Sequence, residues 1–314
     1  MIMDIAAIMF KENKMTEGFK IIKEMYDYSF SPFCLLVLKD GRFAASGQSG
    51  IRIYNSRTYE YKEITDQSEG VNFICQVEED ERIISCSEER TIRIWEKKND
   101  MFECIKILSE AHSERIIKVI SLPGNKMLSC GEKKEILLWR SIAPYDKVKQ
   151  ILTAKFKESN EINNIFFFKG KYECLITSHK RKISFWNIKT YQYETVLTDR
   201  KCCGVNSMYQ LDEEKIIFGD IGEIEIINVK NKTLVDTLID MNMMFINCFC
   251  NSNKDNEILI GCDDSNLLKL NVNKKQILYL NQSHKANIVA LSIISNSILI
   301  SASNDRSIKL WSLK

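Results

Sequence analysis

One short pattern recurs along the chain: an alternating segment that ends on a large residue. It reads IRIY to Tyr54, IRIW to Trp95, ILLW to Trp139, ISFW to Trp186, IEII to Ile227, LLKL to Leu270 and IKLW to Trp311. Successive copies stand 41, 44, 47, 41, 43 and 41 residues apart. A period of this length marks supersecondary units stacked on one another. It therefore overrides the two domains that 314 residues would otherwise suggest.

Within a copy the chain reads as short strands. In the second copy VNFICQV (71–77), RIISCS (82–87), TIRIW (91–95) and CIKIL (104–108) are β-branched or aromatic runs set between charged turns, and helical periodicity is absent. Short strands alone are compatible with a sandwich or a barrel, but four of them repeating every ~40 to 45 residues select a propeller. The expectation is an all-β, seven-bladed β-propeller of four-stranded antiparallel blades, spanning residues 18–314.

The scarce residues fit the same frame. All four tryptophans, Trp95, Trp139, Trp186 and Trp311, fall at the end of a third strand, and His112 and His284 each precede a tryptophan by 27 residues. With three histidines in 314 positions, each such hit is an accident at about the 1% level. In these residues the chain resembles the WD-repeat family, seven-bladed propellers that commonly act as protein-interaction platforms. The resemblance implies a structural tetrad in the last copy, formed by His284, Ser301, Asp305 and Trp311. In the family the Asp bonds the His, which reaches the Ser and the indole. Partial tetrads are implied at His112, Ser129 and Trp139, at Ser85, Glu89 and Trp95, and at Trp186. The copies depart from the family pattern: Lys133 stands at the Asp position of the third, Glu89 substitutes in the second, and the first, fifth and sixth copies lack the Trp.

The seventh copy has only three residues after Trp311 from which to make an outer strand. FKIIKEM, 19–25, is the one unassigned β-like segment and lies before the first blade. It is expected to complete the last blade, as the family usually joins its ends, and to hide an edge that would invite association. Residues 1–17 form an N-terminal extension. Ile2, Ile5, Ala6, Met9 and Phe10 are at helical spacing there, and a short amphipathic segment and a frayed terminus both fit.

Composition narrows the function. Forty-four basic and 42 acidic side chains give a net charge of +2 and a pI near 7.9, which argues against a dedicated nucleic-acid binder. No signal peptide or spanning run is legible, so a cytoplasmic protein, with the nucleus as the second compartment, is expected. The eleven cysteines sit mostly in apolar runs without zinc-site spacing, and neither a metal nor a cofactor is expected. Phosphate loops and the HExxH and GxSxG motifs are absent, and His179 stands in a basic turn without partners, so no catalytic residue is assigned.

Binding is the remaining class. The family resemblance places one channel mouth at the starts of the first strands and at the turns between second and third strands. Four first strands begin with an apolar residue followed by asparagine, at Asn72, Asn163, Asn206 and Asn247; the turn positions are Glu88, Glu132, His179, Asp220, Asp263 and Asn304. An acidic, polar mouth suits a peptide carrying Lys or Arg. Equally, the asparagines bond turn backbone and the acids are solvated. Two other roles stay open: a nucleic-acid- or chromatin-associated subunit using the basic clusters Lys133-Lys134, Lys180-Arg181-Lys182 and Lys274-Lys275, and the substrate receptor of a ubiquitin ligase.

Overall fold

The computed structural model describes residues 19–64, 69–132, 135–152, 162–179, 182–197, 205, 207–219, 221–239, 245–252, 254, 256–280 and 283–313. The N-terminal extension 1–17 lies outside the described residues. The described chain forms 28 strands in seven four-stranded antiparallel sheets. Blades one to six run consecutively, with innermost strands Pro32–Val37, Val71–Gln76, Ile116–Leu122, Asn164–Phe168, Ser207–Gln210 and Ile246–Asn251. These strands and Ile288–Ser295 of blade seven touch their neighbours in cyclic order, so the sheets close a ring around a channel.

The last blade is built from both chain ends. Phe19–Tyr26 pairs antiparallel with Ser307–Leu313, from Phe19 opposite Leu313 to Tyr26 opposite Ser307, with a bulge between Ile21 and Lys23. The expected closing strand is therefore present and runs one residue further.

The ring has no common core. Its buried apolar residues divide into seven clusters, each between two adjacent blades. Ile53 and Ile64 of blade one meet Ile83 and Trp95 of blade two; Ile300 and Leu310 of blade seven meet Phe43 and Tyr54 of blade one. Each blade is flanked by two others, so its inner strands bury both faces, while outer strands such as Phe19–Tyr26 and Tyr61–Ile64 stay largely exposed. Residues 51–54 and 92–95 are accordingly buried at every position. Each third-strand terminal residue, whether Trp, Tyr54, Ile227 or Leu270, packs toward the preceding blade.

Candidate functional site

In blade seven, Trp311 Nε1–H donates to Ser301 Oγ at 2.8 Å, Ser301 Oγ lies 2.6 Å from His284 Nε2, and His284 Nδ1 lies 3.0 Å from Asp305 Oδ2. One proton assignment satisfies every atom: indole to serine, serine to histidine, histidine to carboxylate. Asp305 Oδ2 also accepts the Lys285 N–H, and its Oδ1 accepts the Ser307 N–H. Burial pushes the Asp305 carboxyl up, but the bonds from His284, Lys285 and Ser307 outweigh it and hold the group well below the usual carboxylate range. The chain joins the loop before the first strand to the second and third strands of one blade.

Blade three repeats the arrangement with a different carboxylate. Trp139 Nε1–H donates to Ser129 Oγ at 2.8 Å, Ser129 Oγ lies 2.6 Å from His112 Nε2, and His112 Nδ1 lies 3.1 Å from Glu135 Oε2. Glu135 Oε2 also accepts the Ser113 N–H at 3.1 Å. Lys133, at the Asp position, lies outside the described residues. The acid has moved two positions, onto the third strand, where blade seven carries Ser307; a side chain one methylene longer than Asp reaches the same imidazole.

Burial pulls His112 down to about 4, with Glu135 opposing the shift. A histidine depressed on folding contributes stability that is complete above its unfolded value near 6.5 and is lost as pH falls through about 4. Replacing Glu135 with Ala is expected to cost about 1–3 kcal/mol at pH 7 by orphaning the His112 and Ser113 donors. Urea unfolding at pH 7 measures the cost, and an unchanged midpoint would refute the role.

The remaining blades follow a rule that only strand register exposes. The second-strand residue paired with the position two before the terminal residue is a hydroxyl wherever that residue is Trp: Ser85, Ser129, Thr177 and Ser301. Each accepts the indole N–H, Trp95 to Ser85 at 2.9 Å and Trp186 to Thr177 at 3.1 Å among them. Where the Trp is lost, the paired residue is apolar: Ala45 with Tyr54, Phe218 with Ile227, Ile260 with Leu270. A buried donor and its acceptor are kept or lost together, because either alone is an unsatisfied polar group. In blade two Glu89 accepts the Glu69 N–H and pairs with Arg93. Blade one instead holds buried Arg52 between the rings of Phe30 and Tyr61, at 4.2 and 4.4 Å, with Asp27 and Glu63 as its carboxylates.

Four of the turn residues expected at the mouth lie at the same end of the ring, next to the starts of first strands. The backbone N–H groups of Glu88, Glu132, Asp263 and Asn304 donate to the carbonyls of Gly70, Arg115, Phe245 and Asn287, each immediately before a first strand. Glu88 and Asn304 are exposed. Glu132 pairs with Arg115 at 3.0 Å, and Asp263 Oδ1 accepts the Phe245 N–H. Burial pushes the Asp263 carboxyl up. Two of the asparagines do bond backbone, though of the next blade and not of a turn. Asn72 Nδ2 donates to Ile116 O and Asn247 Nδ2 to Ile288 O, so each spends a donor on the first strand of the next blade. Asn163 is half-buried before its strand, which begins two residues later than expected, at Asn164. His179 is the last residue of a second strand, paired with Lys182, and not a turn residue. Asn206, Asp220, Lys134, Lys180 and Arg181 lie outside the described residues.

Among the described residues no cluster of His, Cys, Asp and Glu is arranged to hold a metal, and no helix is long and apolar enough to cross a membrane. Burial pushes the thiols of Cys34 and Cys75 up to about 11 and about 12, a protonated and unreactive range.

Seven four-stranded blades closed by the two chain ends define a β-propeller. The family model described as WD domain, G-beta repeat matches residues 59–96 and 275–312. Two stretches of the chain thus match the WD repeat, and both lie within a ring of seven blades. Each match runs from near the outer strand of one blade to the third strand of the next, so the sequence repeat and the blade are offset by one strand. No curated protein matches the sequence.

Proposed function

We propose that the protein is a non-catalytic interaction scaffold that binds a partner peptide carrying Lys or Arg at the mouth formed by the turns between second and third strands. WD-repeat propellers commonly serve as such scaffolds, but fold alone does not select a ligand. The observation that carries the reading is the convergence at one end of Glu88, Glu132, Asp263 and Asn304, held in equivalent positions by their backbone bonds to the strand starts. Carboxylates on a fixed rim accept charge-assisted bonds from a basic side chain without first having to be ordered.

Asn247 is a poor choice for the test because it ties blade six to blade seven. Exposed Glu88 and Asn304 carry no such burden. The Glu88→Lys, Asn304→Lys double variant is expected to unfold at the wild-type temperature and to weaken binding to an array of Lys- and Arg-containing peptides at least tenfold. Wild-type protein that does not prefer basic peptides over their Ala-substituted counterparts would defeat the proposal.

A further inference from the structure

The register of the innermost strands places one position of each blade at the same level of the ring. In blade three that position is Lys118, opposite Cys130; in the flanking blades it is Phe73, opposite Cys86, and Asn164, opposite Ser178. Lys118 Nζ–H donates to Asn164 Oδ1 at 2.8 Å, and the nitrogen lies 5.0 Å from the centroid of the Phe73 ring. The ammonium is thus held from both sides by neighbouring blades. At the other four positions stand Cys34, Ser207, Cys248 and Ala290, all small and uncharged.

These seven positions therefore carry one basic side chain and no carboxylate. Burial pulls the Lys118 ammonium below its ordinary value, and the groups that act on it from nearby are the thiols of Cys130, Cys34, Cys75 and Cys86. Those of Cys34, Cys75 and Cys130 are pushed up by burial and stay neutral. Glu78, in the turn at the far end of the strands, is about five residues away, roughly 16 Å along a strand. It is already committed, with Oε1 2.9 Å from Lys169 Nζ of blade four. At the opposite end Glu132 pairs with Arg115. An ammonium has three donors and Asn164 takes one. Lys118 is only half-buried, so its remaining donors are within reach of the channel.

We propose that the central channel is a receptor site for a carboxylate, anchored by Lys118 Nζ between Phe73 and Asn164. One cation matches one carboxylate, whereas a phosphate dianion would keep an unbalanced charge in a weakly polar wall. The carboxylate can come from a peptide terminus or from an Asp or Glu side chain. The site uses residues different from those of the acidic mouth and takes the opposite charge.

The test is fluorescence anisotropy with labelled hexapeptides offered to the full chain. One set carries a single Asp or Glu with an amidated terminus, a second has a free C-terminal carboxylate, and matched controls carry Asn, Gln or a terminal amide. At least one acidic set is expected to bind tenfold or more tighter than its amide controls, and which set does so identifies the source of the carboxylate. Lys118→Met is expected to bring that preference to twofold or less, and Lys118→Arg to retain it. Glu88→Lys, Asn304→Lys should leave it unchanged, while Lys118→Met should leave any basic-peptide binding at the mouth intact, so the two sites fail separately. Equal binding of acid and amide by unaltered protein overturns the proposal without any variant. Absence of binding to both, or a folded Lys118→Met protein that keeps the preference, does the same.

Discussion

Protein truncated to begin at Asp27 is expected to be recovered as aggregate or to unfold many degrees below a chain that begins at Gly18. The first truncation removes Phe19–Tyr26 and leaves Ser307–Leu313 as an open edge with its outward backbone groups unpaired. It also strips Phe19 from the cluster between blades six and seven and Met25 from that between blades seven and one. Lost ladder bonds and apolar cover together are on the order of 5 kcal/mol or more, a large part of a typical domain's stability. Asp27 is retained because it holds Arg52. A soluble truncated protein with an unchanged melting transition would show that the ring is closed by something other than this strand.

The second large effect belongs to Ser301. Its oxygen serves two buried neighbours at once, accepting from the Trp311 indole and bonding His284 Nε2. Ser301→Ala is expected to cost about 2–5 kcal/mol, because it orphans both groups in a site that water cannot fill without disturbing the packing. Ser85→Ala, in a blade without a histidine beside the hydroxyl that accepts the Trp95 indole, should cost less. Chemical denaturation of the two variants decides the matter. Equal losses would mean that the histidine contributes nothing through the serine. Adding Trp95→Phe to Ser85→Ala should recover part of the smaller loss, since removing donor and acceptor together is what blades one, five and six already do.

How much of this was legible follows from distance along the chain. The period, the closing strand and the His-to-Trp spacing are local or strictly repeated features, and they survive in a single sequence. Glu135 was missed because it sits on a strand two positions beyond the expected turn, where only the three-dimensional approach to His112 identifies it. Thr177 stands nine residues before Trp186 and not ten, because the blade-four hairpin is one residue shorter; pairing with Ser184 restores the alignment. The tasks of Asn72, Asn247 and Lys118 depend on partners 41 to 46 residues away in the next blade, and no pattern within one repeat encodes them. For Lys118 one signal was available: a cation in the strand IIKVISL, where only Ser121 is otherwise polar.

The pairing of Phe19 with Leu313 also means that the molecule has no privileged starting point. The first and last described strands lie side by side in one sheet, so linking them and opening the chain elsewhere would change which blade is stitched from two pieces and leave the ring itself intact. The numbering of blades from one to seven records the order of synthesis, not an order of construction. Any of the six continuous blades is in principle as good a seam as the one the sequence happens to use.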